Sequence, residues 1–193
     1  MGDCFYEKSN DMANKKAEDI EIRMCGIEPE SIVDGPGFRY VLFVQGCPHH
    51  CHGCHNPESW DPKAGYDITL GEIMAQIKEN DQLRGVTFSG GEPFEQVPAL
   101  LELARMVKAE GLSLMSYSGY TLEELQERND PETDELLGLI DVLVDGRYME
   151  DERNLTLLYR GSENQRLIDM RKTRETGKVE LFHSDFDDEI DII

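Results

Sequence analysis

The chain has 193 residues, a formal net charge of −21, 39% hydrophobic residues and 31% charged residues. That length suits one domain with a substantial core, and so much negative charge disfavours direct binding to nucleic acid. No apolar run reaches the roughly 18 residues of a membrane helix, and the N-terminus lacks the basic-then-apolar order of a signal peptide, so the expected location is cytoplasmic. The charge reads first as an aid to solubility and second as an acidic face that steers docking onto a partner protein.

Residues 1–20 are polar and without a clean period, which marks an N-terminal tail or loosely docked arm. Residues 183–193 are acidic and also read as peripheral, leaving 21–182 as the domain. Residues 39–45 (RYVLFVQ) form an apolar, β-branched run that stops at Gly46 and Cys47, the pattern of a buried strand. Thr69, with Glu72 three residues on, is a capping box opening a helix whose Leu70, Ile73, Met74 and Ile77 share a face. A short strand at 85–89 runs into Gly90 and Gly91. Pro98 marks a helix start, Gly111 its stop, and 112–117 the next strand. Thr121 and Glu124 make a second capping box, and Asp130-Pro131 opens a further short helix. Segments 141–144 and 155–159 read as further strands, while 166–182 (RLIDMRKTRETGKVELF) stays open between strand pieces around a turn and a helix.

Strands alternating with helices predict parallel pairing through right-handed crossovers. A closed eight-fold barrel takes about 250 residues, so the expected fold is α/β, an incomplete, open TIM-like barrel of about five or six units. The segments CPHHCHGC, SGGEP, SYSGY, VDGRY and YRGSENQR all follow strand ends. Loops after strands build the site in such folds, so these motifs are expected to converge on one rim.

Cysteines stand at 4, 25, 47, 51 and 54. An odd count with three packed into one short loop favours metal ligation over disulfides. Cys47-x-x-x-Cys51-x-x-Cys54 follows a buried strand directly, and thiolates suit both iron–sulfur clusters and zinc. Three thiolates leave one corner of a four-iron cluster open, as a catalytic cluster needs. The other reading is a structural zinc completed by His49, His50, His52 or His55. The triplet alone does not decide between them. Ser89-Gly90-Gly91-Glu92-Pro93 adds two glycines that let backbone approach a ligand and a carboxylate that can accept from an ammonium group. Taken alone, it is equally a turn.

The triplet followed by G-G-E-P resembles the radical S-adenosylmethionine enzymes. More narrowly, VDGPGFRYVLFVQGCPHHCHGCHNPESW, FSGGEP, SYSGYTLEEL, LIDVLVDGRY and YRGSENQRLIDM are similar, in the same order, to the activating proteins of anaerobic ribonucleoside-triphosphate reductases. The resemblance implies that Cys47, Cys51 and Cys54 ligate a [4Fe–4S] cluster whose fourth iron is chelated by the methionine amine and carboxylate of S-adenosylmethionine. It implies that Gly90, Gly91 and Glu92 hold the cofactor's amino group, that Gly53 and His55 line its adenine side, and that Cys54 also touches the cofactor. Gly53 stands where many superfamily members carry an aromatic residue, a departure that matches the activating-protein subgroup. Ser116, Ser118, Asp145, Arg147 and Asn164 lie at matching strand ends, for contacts to cofactor or partner or for satisfying local backbone.

The implied activity is reductive cleavage of S-adenosylmethionine, with the electron from a donor such as flavodoxin. The resulting radical takes hydrogen from a glycine α-carbon in a loop of the reductase. Rival readings are an activase of pyruvate formate-lyase or another small radical enzyme and, in a different class, a zinc-stabilised interaction module without catalysis.

Overall fold

The computed structural model describes residues 17–183. The expected N-terminal arm up to residue 16, Cys4 and most of the acidic C-terminal segment lie outside the described residues. Among the described residues seven strands form one open sheet: β1 (Glu21–Ser31), β2 (Arg39–Val44), β3 (Tyr66–Thr69), β4 (Gly85–Gly90), β5 (Ser113–Tyr117), β6 (Val142–Asp145) and β7 (Arg166–Asp169), in the order β3-β1-β2-β4-β5-β6-β7. The central β2, β4, β5 and β6 are parallel. Antiparallel strands flank them, β1 and β3 on one side and β7 on the other. The architecture is therefore mixed α/β with a sheet that does not close, and its parallel portion is shorter than the expected five or six units.

The helices are α1 (Leu70–Glu79), α2 (Val97–Ala109), α3 (Leu122–Gln126), α4 (Pro131–Leu139) and α5 (Met170–Thr176). Both capping boxes form: Thr69 and Glu72 satisfy each other's backbone at the start of α1, and Thr121 and Glu124 do so at α3. Asp130 caps α4 and Asp169 caps α5.

The two faces of the sheet differ because strand side chains alternate. One face (Met24, Leu42, Val44, Phe88, Leu114, Leu143 and Ile168 among others) packs under α1 to α5 as the main core. The opposite face carries, among the described residues, a small cluster of Met115, Val142, Val144 and Leu167, with Tyr117, Tyr159 and Phe182 against it. Arg39 opens β2 on that second face.

One sequence expectation changes, and two gaps are filled. Residues 155–159 are not a strand: the Asn154 side chain accepts the Thr156 N–H at 2.9 Å and Tyr159 sits at φ +57, which together bend the chain back. Leu155 is left 80% exposed. The open stretch 166–182 resolves as β7, then α5 ending at Gly177 in the left-handed region, then a bridge from Leu181 to Ile168. Strands β1 and β3 carried no sequence expectation. β1 alternates cleanly only at Ile22 and Met24 before register shifts interrupt it.

Candidate cluster and cofactor site

Parallel pairing of β2 with β4 aligns Val44 with Gly90, so the cysteine loop and the glycine pair emerge side by side. A Cβ on Gly90 would come within 2.4 Å of the Phe43 backbone, and one on Gly91 within 2.3 Å of the Gly46 carbonyl. Glycine is therefore required here for backbone to lie on backbone. The contact is sealed by Gly91 N–H to the Val44 carbonyl and Glu92 N–H to the Gly46 carbonyl, both 2.8 Å. The cysteine loop is also pinned from its far side. Gly46 and Cys47 donate their N–H groups to the Ser59 and Trp60 carbonyls at 2.7 and 3.2 Å. The Gln45 amide donates to the Glu58 and Asp61 carbonyls.

Glu92 ties three loops together. Its fully buried carboxylate receives the Phe94 N–H (3.1 Å), the Ser118 hydroxyl (3.0 Å) and the Gly119 N–H (2.7 Å), and it meets His49 Nε2 at 2.9 Å. Four partners fill the four lone-pair sites of a carboxylate. The Glu92 side chain thus faces protein, while Gly90 and Gly91 face the cavity beside it.

That cavity, about 510 Å³, lies on the sheet face opposite the helices, at the carboxyl ends of the parallel strands. Cys47, Cys51, Cys54, His55, Gly90, Gly91 and Ser118 line it, together with Trp60, Tyr117, Tyr148, Tyr159 and Arg160. The three thiols are free and half-buried. Burial, then repulsion from Glu92, raises the Cys47 thiol pKa, with the His49 and His50 N–H groups acting against it. Cys51 is raised by burial and by Cys54, and the Tyr148 N–H opposes. Two buried donors on the wall, Arg160 Nε and Trp60 Nε1, have no hydrogen-bond partner among the described residues. A buried donor left unmet is costly and points to a ligand that brings acceptors.

A family model described as a 4Fe-4S single cluster domain matches residues 33–168. The anaerobic ribonucleoside-triphosphate reductase-activating protein of Escherichia coli (strain K12) is 37% identical over 145 residues, which is 71% of this chain and 92% of that protein. Its counterpart in Vibrio cholerae serotype O1 is 39% identical over 71% of this chain and 91% of its own length. The Enterobacteria phage T4 protein of the same name is 35% identical over 73% and 90%. The chain belongs to this family of activating proteins.

The donor set fits the four-iron group of that family. Three thiols border one cavity, and among the described residues no three His, Cys, Asp or Glu side chains gather tightly enough to hold a single metal ion. Cys25 sits on β1 away from the cavity, its thiol raised by burial and Glu58. Two loop histidines are engaged elsewhere: His49 with Glu92, and His50 stacked on Trp60 at 4.7 Å. His55 packs against Tyr148 at 5.0 Å, and His52 is exposed.

The remaining sequence candidates lie outside the cavity wall. Ser116 points to the helix-covered face, because alternation on β5 gives the cavity its neighbour Tyr117. Asp145 is buried, accepting from the Leu122 N–H at 2.7 Å and from both Nε and Nη2 of Arg166. Arg147 is exposed, and its carbonyl accepts the Asn164 amide at 2.8 Å. Gly53 holds φ +74 against the Glu150 side chain. Sequence reasoning missed Tyr117, which strand alternation flags, and Trp60 and Arg160, which no local pattern flags.

Proposed function

We propose that this chain activates an anaerobic ribonucleoside-triphosphate reductase, using a [4Fe–4S] cluster held by Cys47, Cys51 and Cys54 and S-adenosylmethionine bound beside it. The observation that carries this reading is the convergence of three thiols, two glycines and two unpartnered buried donors on one cavity. When bound, cluster and cofactor supply one-electron cleavage of a carbon–sulfur bond and, through it, hydrogen abstraction from a glycine of the reductase; the electron comes from a donor such as flavodoxin.

The protein's own residues bind, orient and exclude water. Half-buried thiols become good ligands only as thiolates, so ligation at neutral pH displaces their protons. Gly90 and Gly91 present close-lying backbone to the cofactor's amino group, and Glu92 acts behind them as a positioning residue. Arg160 Nε and Trp60 Nε1 offer donors to its acceptor atoms. Residues 21–182 form the working domain, and its sheet face opposite the helices, read as an incomplete barrel, leaves a side for a peptide loop. No acid or base from this chain is needed for hydrogen abstraction.

The test is anaerobic reconstitution with iron and sulfide, incubation with the reductase, a reductant and S-adenosylmethionine, and electron paramagnetic resonance of the reductase. A glycyl signal that disappears in Cys47→Ala, Cys51→Ala and Cys54→Ala is expected. A signal only with pyruvate formate-lyase as partner, or a colourless protein with one tight zinc, overturns the reading.

A further inference from the structure

Among the described residues eight large apolar side chains stand exposed, and the two most exposed are Leu155 at 80% and Val33 at 71%. Both border the cavity that the three cysteines line. A second cavity, about 560 Å³ and lined by Arg39, Arg84, Lys108, Asp141 and Arg171 among others, lies at the amino ends of the same strands. None of the eight borders it. A single exposed leucine is ordinary. Two from separate loops, facing one cavity, forgo burial at the same place.

Neither side chain hangs on slack backbone. Val33 lies between β1 and β2, where its own N–H donates to the Ser31 hydroxyl at 3.2 Å and that hydroxyl donates to the Asp34 carboxylate at 2.5 Å. The Thr87 hydroxyl then fastens the Asp34 carbonyl to β4 at 2.8 Å. Leu155 sits at the tip of a turn closed by the Arg153–Ser162 bridge and by Asn154 N–H to the Gly161 carbonyl at 3.1 Å. The Asn154 side chain accepts both the Thr156 N–H and the Thr156 hydroxyl, which holds the tip bent. Apolar groups fixed in this way lose little freedom when a partner covers them, a property of binding surfaces.

The occupant follows from the reading above, on which this inference rests. If the cavity acts on a glycine of another protein, a peptide must bring that α-carbon in past the rim. Glycine has no side chain, so its backbone can pass deeper than any neighbour's. The side chains on either side of it stop at the rim, where Val33 and Leu155 stand. We propose that Val33 and Leu155 form two apolar lips that clasp the reductase's glycine-bearing segment through apolar side chains flanking the glycine.

The test measures the affinity of the reconstituted full chain, with S-adenosylmethionine, for fluorescently labelled reductase by anaerobic anisotropy. Leu155→Asp and Val33→Asp are each expected to weaken binding at least about tenfold, whereas Leu155→Met stays close to native. Val179→Asp places the same charge on an exposed apolar residue that does not border this cavity, and it should leave affinity unchanged. At saturating reductase the glycyl signal of Leu155→Asp should climb back toward the native level. Native affinity in both lip variants overturns the proposal, as does equal weakening by Val179→Asp or a native chain that does not bind the reductase. A native chain that binds through both lips yet raises no glycyl signal would sink the activation reading and leave the docking surface standing.

Discussion

The two cavities lie on one face of one sheet, at opposite ends of the same strands, yet they are built differently. The cysteine end is made by loops whose backbones are pressed together: Gly90 and Gly91 against β2, and Glu92 holding three loops at once. The arginine end is made by side chains at strand starts, with Arg39 reaching across Thr87 and Ser113. A loop-built cavity owes its shape to backbone contacts that tolerate little change. A side-chain-built cavity owes its character to charge, which a substitution can reverse without moving the backbone. The difference teaches which end depends on backbone placement and which on charge.

The largest effects belong at the cysteine end. Removing any one triplet thiol by alanine should lower reductase activation by at least about 10³-fold. The visible absorbance of the reconstituted protein should fall with it while far-ultraviolet circular dichroism stays unchanged; full activity in such a variant would detach the triplet from the function. Next comes Glu92→Ala. It leaves the Ser118 hydroxyl, two backbone N–H groups and His49 without their buried acceptor, for a loss of about 3–5 kcal/mol by urea unfolding. Glu92→Gln keeps the shape and part of the acceptor capacity, so it should lose less. Equal stability in both variants would mean that Glu92 does not brace the loops.

The two ends also differed in how far sequence could reach them. The triplet and the glycine pair were readable because their chemistry is local: a fixed spacing of thiols, and glycines after a β-branched strand. Both capping boxes were readable for the same reason. The role of Glu92 was not, since a carboxylate in a glycine turn looks the same whether it meets a ligand or the Ser118 hydroxyl 26 residues away. Ser116 came from the resemblance as a residue at a matching strand end, whereas the period of two puts its neighbour Tyr117 on the cavity face. β1 escaped notice because Cys25-Gly26 and Glu28-Pro29-Glu30 break its alternation, and only pairing with β2 and β3 makes it a strand. The arginine end was illegible because Arg39, Arg84 and Arg171 are scattered along the chain and the fold alone gathers them.

A smaller effect tests the brace beneath Gly146 on the cysteine cavity wall. Arg166 spans the buried Asp145 and the exposed Glu123, at 2.6 Å from the latter. Arg166→Ala leaves Asp145 with the Leu122 N–H as its remaining named donor, for a loss of about 2 kcal/mol, kept modest because a third of the Arg166 side chain is exposed. Arg166→Lys should recover only part of it, since one ammonium cannot reproduce a two-pronged guanidinium contact. If lysine restored everything, charge alone would hold the brace.

The smallest effect separates the two ends by pH. The hydrogen bond from Arg166 lowers the Glu123 pKa below its ordinary 4.5, and capping bonds lower Glu72 from 4.5 and Asp130 from 3.8. A carboxylate whose pKa is depressed by folding contributes stability that is complete above its unfolded value and is lost as pH falls through the folded one. Unfolding midpoints in urea should therefore be level above about pH 5 and decline below 4.5, and Glu123→Gln should make that decline shallower. Arg39 has the opposite sign. Its lowered value means the fold carries a burden from the charged form that is constant through neutral and acid pH and eases only above about 10. Acid should thus loosen the Glu123–Arg166 brace while leaving Arg39 in its charged form. A Glu123→Gln variant as acid-sensitive as the native chain would assign the decline to the helix caps at Glu72 and Asp130 instead.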